Sequence, residues 1–384
     1  MSGNVHVKEH PAPSRYEDLE SFDTPCYLFN PATVISDYLK LKNALGTPLI
    51  VSLKANPNID LFVRCAHIFE DGVELASLGE LVLMSGRAGV PKIVNTPALD
   101  AQLLAATLAS RNATVILDNP DQVDLLLSLK APSKRVTVGL RLNACSFLDC
   151  VVKPAHEDHF GVDLESLCAM ASRLQDADID VSGIHVYGGP LTFENYGLPL
   201  AEKAPAIINE VTSATGKGIE FLNLGGGFSA DWDVNSEYFR QYREAIEPLK
   251  KDVVLWHEAG RAIFRRGGSF FTKVLAVKRL NGRHVAICDG GMAQAFLLAQ
   301  TENFLRRPSK PVLIPKEAEG RPSLDAPVVI AGSSCNRADI IGELTEGLTP
   351  KAGDILRFDD CGAYHTYSPV GFLNLKQSNF YIMS

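Results

Sequence analysis

Eight short apolar segments alternate with helix-like segments between Leu49 and Trp256, and this alternation constrains the fold more than any other feature of the chain. Apolar runs of strand length that are separated by helices are typical of parallel sheets. The strand-like segments are 48–54, 73–76, 92–95, 114–117, 135–143, 181–186, 219–224 and 252–256. Eight such repeats predict a closed (β/α)8 TIM-type barrel, and an open doubly wound sheet is the alternative.

The pattern changes after about residue 267, where strand-like segments follow one another with little helical periodicity between them. These segments are 269–277, 284–288, 311–314, 327–331, 354–358 and 372–375. The stretches 302–310 and 315–326 are expected to be exposed loops, and residues 1–23 a loosely held arm. The predicted domains are therefore an N-terminal arm and strand that join the β domain (1–29), the barrel (30–266) and a C-terminal, mostly β domain (267–384).

Composition excludes several classes of function. The chain has 384 residues, 46% of them hydrophobic, and a net charge of −8 with no basic run, so we expect no nucleic-acid partner. No apolar run is long enough to cross a bilayer, and the N-terminus lacks a signal pattern. The eight cysteines are scattered without a Cys-x-x-Cys pair, which predicts neither a metal site nor a disulfide framework. A cytoplasmic location is expected.

Polar side chains stand at the ends of the predicted barrel strands. The carboxyl ends of such strands carry the active site in barrels of this kind. In chain order they are Lys54, Ser77, Asn95, Asp118, Arg141, His185, Tyr187, Gly225, Gly226, Gly227, Glu258 and Arg261. Lys54 alone would be taken for a solvated lysine, because most lysines are exposed. The rim as a whole instead predicts an active site, because it carries an amine, cations, an imidazole, glycines and a carboxylate together.

Three of these features together describe a site for pyridoxal phosphate. Lys54 supplies an amine that can bond to the cofactor's aldehyde. The glycines at 225–227 can bring backbone N–H groups to a phosphate, although such a triplet also serves as a tight turn. Glu258 can keep a ring nitrogen protonated, although Glu258 and Arg261 could also form an ordinary surface pair.

The motifs resemble those of the fold-type III pyridoxal-phosphate decarboxylases, the family of ornithine, arginine and diaminopimelate decarboxylases. The resemblance runs from about Thr24 to Phe372. Its motifs are Ser-Leu-Lys-Ala-Asn (52–56), Ser-Leu-Gly-Glu (77–80), the glycine triplet, Glu-Ala-Gly-Arg (258–261), Asp-Gly-Gly-Met (289–292), Gly-Ser-Ser-Cys-Asn-Arg-Ala-Asp (332–339) and Gly-Ala-Tyr (362–364). Their order and spacing together are more specific than any one of them.

The resemblance implies roles for residues in both predicted domains. Cys335 would be the acid that protonates the α-carbon, and Gly260, Arg261 and Tyr364 would contact the cofactor. The family implies a homodimer whose active sites are shared, so that Cys335 would act at the Lys54 site of the other subunit. Alanine racemases share the layout of barrel plus β domain, which leaves a racemase as one alternative. A non-enzymatic relative is the other.

Departures from the family pattern bear on the substrate. The family's stacking histidine aligns with Tyr187, which leaves open whether Tyr187 or His185 stacks on the cofactor. Asn336 follows Cys335, where ornithine-type enzymes have an acidic residue that binds a distal amine. Arg337 comes next; it could pair with a carboxylate, and the alternative is that it simply faces solvent. With Tyr187, Asn336 and Arg337 at these positions, the chain resembles the siderophore branch that acts on citryl-diaminopropionate. Arg141 is a further candidate for a cofactor or substrate contact. A basic amino acid or diaminopimelate is the alternative substrate.

Overall fold

The computed structural model describes residues 8–10, 16–19, 21–129, 137–148, 159–190, 193–229, 231–299, 309–366 and 372–383. Its strands are β1 (Lys8–His10), β2 (Cys26–Phe29), β3 (Leu49–Ser52), β4 (Val73–Leu75), β5 (Lys92–Asn95), β6 (Ala113–Leu117), β7 (Thr137–Asn143), β8 (Val181–Tyr187), β9 (Phe221–Asn223), β10 (Val254–Ala259), β11 (Gly268–Leu280), β12 (Arg283–Cys288), β13 (Val312–Ile314), β14 (Val328–Ala331), β15 (Ile340–Leu344), β16 (Ile355–Phe358) and β17 (Asn379–Met383).

The helices lie mainly between the strands of the first half of the chain. They are α1 (Tyr16–Leu19), α2 (Pro31–Leu45), α3 (Ile59–Cys65), α4 (Leu78–Leu83), α5 (Ala101–Ala109), α6 (Pro120–Ser128), α7 (Ala144–Phe147), α8 (Leu164–Asp176), α9 (Phe193–Thr215), α10 (Ser236–Ile246), α11 (Arg261–Phe264) and α12 (Phe296–Ala299). Residues 135–136 of a predicted strand and 302–308 of a predicted loop lie outside the described residues.

Strands β3 to β10 form a closed barrel in which every neighbouring pair is parallel and β10 returns to β3. The predicted (β/α)8 barrel is therefore confirmed, and the open sheet is wrong. Side chains of Ile50, Ile93, Ile116 and Phe221 fill part of the barrel interior, with the ring of Trp256 stacked on Phe221 at a centroid distance of 4.1 Å. Because apolar side chains fill this part of the interior, the polar candidate residues of the strands stand at one end of the barrel.

Helix starts in the barrel follow capping rules that can be read from the sequence. Ser77, Asp100, Asn119 and Asp163 each precede a helix, and each side chain accepts a hydrogen bond from the backbone N–H three residues later. Such caps satisfy N–H groups that have no partner within the helix. They fix where the chain turns from strand to helix at the rim.

The remaining strands form a sheet of nine, which confirms the predicted mostly β domain. Along its main path the order is β1, β17, β2, β11, β12, β14 and β15, while β16 pairs with β11 and β13. The predicted strand 372–375 is wrong. Phe372–Asn374 is a 3-10 turn, in which Leu373 and Asn374 have φ of 58° and 50°, values that no strand residue adopts.

Three parts of this sheet differ from the sequence prediction. Residues 8–10 are not a loose arm, since they pair with β17, and Leu19 is buried. Strands β15 and β17 were not predicted; β15 contains Gly342, where a Cβ would lie 2.6 Å from the Ser309 carbonyl oxygen. The segment 315–326 is largely exposed, but the side chain of Arg321 is buried in an ion pair with Asp354.

The chain divides into two compact units. The first comprises Met1–Val34, Asp60–Arg64 and Phe264–Ser384, and the second Ile35–Ile59 and Cys65–Ile263. The domain boundaries inferred from sequence stay a prediction. Within the described ranges, no helix combines the length and the apolar character needed to span a membrane.

Candidate active site

Lys54 stands at the end of strand β3, in a 3-10 turn that runs from Leu53 to Ala55. Its Nζ lies 2.7 and 2.8 Å from the two carboxylate oxygens of Glu74, which projects from the neighbouring strand β4. The Glu74 side chain is only 2% exposed, whereas that of Lys54 is 39% exposed. Lys54 is therefore an amine held in place by a buried carboxylate, rather than a freely solvated lysine.

Glu258 lies in β10 and is buried. Its Oε1 accepts a hydrogen bond from Asn223 Nδ2 at 2.7 Å, and its Oε2 is 3.4 Å from His185 Nε2. Burial by itself raises the pKa of Glu258, but His185, Lys54 and Asn223 outweigh it, and the pKa is lowered below its ordinary value. Glu258 is thus an ionised, buried carboxylate and not a member of a surface pair.

His185 is fully enclosed by its neighbours. Its Nε2 also lies 3.4 Å from Asn95 Nδ2. Among the described residues, His185 Nδ1 and Asn95 Oδ1 are buried and have no hydrogen-bond partner. Because buried polar atoms are nearly always paired, these two atoms are candidates for contact with a bound polar group.

The glycine turn after β9 accepts no larger residue at its first two positions. A Cβ on Gly225 would lie 2.4 Å from the Val186 carbonyl oxygen, and one on Gly226 would lie 2.1 Å from that of Glu258. Gly225 and Gly227 have φ of 69° and 81°. The N–H groups of Gly226 and Gly227 donate to no residue in the described parts of the chain. The turn therefore offers backbone donors suited to an anion.

Tyr187 and His185 point to different parts of this rim. The position that a Gly225 Cβ would take is 3.3 Å from Tyr187 Cδ2, so the tyrosine ring borders the glycine turn. The His185 ring instead contacts Glu258. Gly260 is buried at the end of β10, and Arg261 follows it as the first residue of α11.

Arg141 is buried in β7, and its guanidinium is already engaged. Its Nη1 is 3.3 Å from Asp118 Oδ1, which also accepts a hydrogen bond from Gly161 N–H. The guanidinium carbon lies 4.4 Å from the centre of the Phe160 ring. The cation predicted to bind substrate thus pairs with a carboxylate of the barrel.

The first of the two compact units contains the nine-stranded sheet and is called the β unit below. Three of its candidate residues, 335–337, lie on the loop between β14 and β15. Asp339 is buried and accepts hydrogen bonds from the N–H groups of Met292 and Ser334, which fixes the base of the loop. Cys335, Asn336 and Arg337 are exposed on it.

Asn336 and Arg337 differ in what their side chains contact. Asn336 Oδ1 accepts the Ala338 N–H at 2.9 Å. Arg337 forms no ion pair or hydrogen bond with any part of the chain that the structure describes. Tyr364, elsewhere in the same unit, is half-buried with a φ of 64°.

Comparison with known proteins decides the family. Residues 32–265 match the family described as pyridoxal-dependent decarboxylase, pyridoxal binding domain. The chain belongs to the pyridoxal-dependent decarboxylases. It is 30% identical over 358 residues to a diaminopimelate decarboxylase of Deinococcus radiodurans, covering 90% of this chain and 86% of that one. A diaminopimelate decarboxylase of Pseudomonas aeruginosa is 26% identical over 369 residues, with 90% and 84% covered.

Solved structures extend the match to the whole fold of this decarboxylase. A lysine/ornithine decarboxylase complexed with putrescine from Vibrio vulnificus superimposes with a TM-score of 0.79 at 21% identity, covering 96% of this chain and 97% of that one. An arginine decarboxylase of Paramecium bursaria Chlorella virus bound to agmatine gives a TM-score of 0.77 at 17% identity, covering 93% and 94%. At these identities the likeness shows the fold.

The decarboxylase uses pyridoxal phosphate, and its barrel residues fit that cofactor. When bound, the cofactor supplies an aldehyde that links to amines and a ring that takes up the electrons released as CO2 leaves. Within the described ranges, the fit rests on a rim amine, an ionised buried carboxylate, a glycine turn with unused N–H groups, and two unpaired buried polar atoms. The racemase and the non-enzymatic relative are set aside by the family match and by relatives that are named decarboxylases.

Sequence reasoning missed two side chains at this site. Glu74 and Asn223 both contact predicted site residues, yet neither stands at the end of its predicted strand. The available signal was a carboxylate and an amide inside otherwise apolar strands, Val-Glu-Leu and Phe-Leu-Asn. Buried polar residues in such strands need partners, and here the partners are catalytic candidates.

Proposed function

We propose that this decarboxylase removes the α-carboxylate of an amino acid that bears a further, distal carboxylate. The observation that carries the proposal is the guanidinium of Arg337, which is exposed two residues after Cys335 and lacks an ion-pair partner among the described residues. Asn336 beside it is neutral and its side-chain oxygen is used within the loop. The loop thus offers a distal carboxylate a cation and offers a distal ammonium no counter-charge.

In the barrel, we assign cofactor attachment to Lys54 and the ring-nitrogen contact to Glu258. Glu258 suits this task because its lowered pKa keeps it ionised, and an ionised carboxylate favours a proton on the nitrogen beside it. Glu74 holds the Lys54 amine at the rim when that amine is not attached. The unpaired Nδ1 of His185 leaves that side chain a candidate for a polar contact with the cofactor.

For the cofactor phosphate, we assign Gly225, Gly226, Gly227, Gly260, Arg261 and Tyr364. The unused N–H groups of the glycine turn support this assignment for the triplet. We assign stacking on the ring to Tyr187, since its own ring borders that turn while His185 contacts Glu258. Arg141 remains a weaker candidate for substrate binding because Asp118 engages it.

The proton that replaces CO2 is assigned to Cys335, which is exposed and free. The family resemblance implies that Cys335, Asn336 and Arg337 serve the Lys54 site of a second subunit, so the proposal includes a homodimer with shared sites. A cytoplasmic location stays a prediction from the sequence.

Two substrates satisfy the requirement for a distal carboxylate. The first is a carboxylate-rich amino-acid conjugate of the kind used in siderophore or other secondary-metabolite synthesis, such as citryl-diaminopropionate, and the absence of an acidic residue at Asn336 supports it. The second is diaminopimelate, which the names of the relatives support. Diaminopimelate carries a distal ammonium as well, for which this loop exposes no carboxylate, since Asp339 is buried and accepts backbone N–H groups.

A CO2-release screen tests the proposal directly. Ornithine, lysine, arginine, diaminopimelate and citryl-diaminopropionate are compared at equal concentration with the cofactor-loaded enzyme. We expect kcat/KM to be at least about tenfold higher for the substrates with a distal carboxylate, the factor that corresponds to one lost charge pair. Preference for ornithine or lysine would contradict the proposal of a distal carboxylate. Preference for diaminopimelate would select diaminopimelate as the substrate over the conjugate.

A further inference from the structure

We propose that Tyr196 is a positioning residue that orients the glycine turn toward the cofactor phosphate. The inference rests on the proposed function in one respect, namely that the turn at 225–227 binds that phosphate. Tyr196 lies in helix α9, is completely buried and was not among the residues that the sequence singled out. It is assigned no contact with cofactor or substrate.

The hydroxyl of Tyr196 joins two turns of the barrel rim. It donates to the carbonyl oxygen of Gly226 at 2.6 Å, and it accepts the backbone N–H of Gly188. Burial raises the pKa of Tyr196, so the hydroxyl keeps the proton that it donates. Gly188 follows Tyr187 directly, so one side chain links the turn that carries Tyr187 to the glycine turn.

The ring of Tyr196 is fitted to this place as closely as its hydroxyl. A Cβ on Gly188 would lie 2.4 Å from Tyr196 Cδ1, so the backbone of that turn packs flat against the ring. Gly188 cannot be replaced without moving the ring, and the ring cannot move without shifting the hydroxyl. The position of the hydroxyl is therefore fixed by packing on one side and by Gly226 on the other.

Three successive carbonyl groups of the glycine turn are tied to the protein. That of Gly225 accepts the Glu258 N–H at 2.8 Å, that of Gly226 accepts the Tyr196 hydroxyl, and that of Gly227 accepts the Phe193 N–H at 3.3 Å. In a trans peptide, the carbonyl and the next N–H point in opposite directions. The three hydrogen bonds to the carbonyls therefore point the N–H groups of residues 226, 227 and 228 away from Glu258, Tyr196 and Phe193.

Tyr196 provides the one side-chain tie of the three. The bonds from Glu258 and Phe193 have backbone N–H donors, which every substitution except proline retains, whereas Tyr196→Phe deletes its bond and keeps the ring. Without the hydroxyl, the Gly226 carbonyl is buried and unpaired, which costs free energy. Rotation of the peptide between Gly226 and Gly227 toward another partner therefore becomes more favourable. Rotation would turn the Gly227 N–H away from a bound phosphate.

Tyr242 is a matched control for the loss of a buried hydroxyl. It is fully buried in the same group of aromatic rings, and both it and Tyr196 lie against Phe193. Its hydroxyl contacts His257 Nε2 at 2.8 Å instead of the glycine turn. Tyr242→Phe therefore reproduces the cost of removing a buried hydroxyl without releasing Gly226.

The experiment measures cofactor affinity with and without a phosphate on the ligand. Apoprotein of the wild type, Tyr196→Phe and Tyr242→Phe is titrated with pyridoxal phosphate and with pyridoxal, following the absorbance of bound cofactor. We expect Tyr196→Phe to weaken binding of pyridoxal phosphate about tenfold, a change of about 1.4 kcal/mol, and that of pyridoxal by less than about twofold. We expect Tyr242→Phe to change neither affinity by more than about twofold.

Equal weakening for both ligands in Tyr196→Phe, or the same effect in Tyr242→Phe, would overturn the inference. Should Tyr196→Phe not fold, Gly188→Ala displaces the ring instead, and it must likewise weaken pyridoxal phosphate more than pyridoxal. The proposed function fails in a different way. If the wild type binds both ligands equally well, no phosphate site exists there for Tyr196 to position.

Discussion

The barrel and the loop that follows β14 hold their candidate residues in opposite ways. In the barrel, both carboxylate oxygens of Glu258 have partners within the chain, and the Lys54 amine has Glu74. On the loop, Cys335 and Arg337 are exposed, and Arg337 makes no ion pair within the described residues. The barrel groups are thus fixed by one another, whereas the thiol of Cys335 and the guanidinium of Arg337 are open to solvent.

Burial explains this difference. A charge removed from water must be paired, so the buried groups of the barrel are fixed by one another. An exposed guanidinium remains hydrated at little cost and stays free to bind. Buried, preorganised groups suit a reaction step that is the same for every substrate, and an exposed cation suits the choice among substrates.

The largest expected effect comes from the barrel. Lys54→Ala should remove the covalent link to the cofactor and lower decarboxylation by about three orders of magnitude or more. Absorbance spectra of the purified variant with added pyridoxal phosphate check this directly. A wild-type spectrum of covalently bound cofactor in Lys54→Ala would refute the assignment of cofactor attachment to Lys54.

The next effect concerns the charge of Glu258. Glu258→Gln keeps a side chain that can accept from Asn223 but carries no charge, so we expect kcat to fall about a hundredfold while the cofactor still binds. Steady-state kinetics measure kcat, and the absorbance spectrum shows whether the cofactor is bound. A kcat within about threefold of wild type would show that the ionised state of Glu258 has no catalytic role.

Mixing variants tests whether the loop serves the site of another subunit. Cys335→Ala should slow turnover, and combining it with Lys54→Ala by co-expression should restore activity to about a quarter of wild type. Half of a random set of dimers is mixed, and one of the two sites in each mixed dimer is then intact. If each site were built from one chain, no intact site could form, and the mixture would stay as inactive as its parts.

A smaller effect is expected from the loop cation. Arg337→Ala should raise KM for the substrate with a distal carboxylate about tenfold and leave kcat within about twofold, because the pair with the substrate is made in ground and transition states alike. Arg279→Ala is the matched control, since Arg279 is also an exposed arginine of the β unit. Equal kinetics for Arg337→Ala and wild type would leave the loop without a role in substrate choice.

The smallest effect concerns stability in the barrel. His257 is buried between Thr47 and Tyr242, and burial lowers its pKa to about 3. The folded protein thus keeps His257 neutral at a pH where the unfolded chain, with an ordinary pKa near 6.5, takes up a proton. Stability from His257 is full above pH 6.5 and falls with acidification toward pH 3, by up to about 1.4 kcal/mol per pH unit.

Denaturant unfolding between pH 7.5 and 5 measures that slope, with His257→Gln as the comparison. Glu258 does not interfere in this range, because its pKa is lowered and its contribution is lost only below its ordinary value of 4.5. The variant should show a flatter dependence on pH. The same slope in both proteins would mean that His257 takes up a proton in the folded state.

Much of the fold could be predicted because local signals agreed with it. Apolar periodicity located the eight barrel strands, and the caps observed at Ser77, Asp100 and Asn119 are of residue types that favour helix starts. Helix α9 shows where such signals fail. Proline's local preference would start this helix at or after Pro199, yet it begins earlier, at Phe193, and runs through Pro199 and Pro205. Burial of Phe193 and Tyr196 accompanies that earlier start, so packing prevails over proline's local preference.

By itself, the sequence determined that this chain forms a barrel whose strand ends carry an amine, glycines and a carboxylate, because strand period and motif order are local properties. Only the tertiary structure decided what those groups touch. Ser52 pairs with Glu74 in the register of β3 and β4, and this register brings Glu74 to Lys54. Contacts of this kind join residues far apart in the chain, and strand register and barrel closure, which set them, are not written in any single segment.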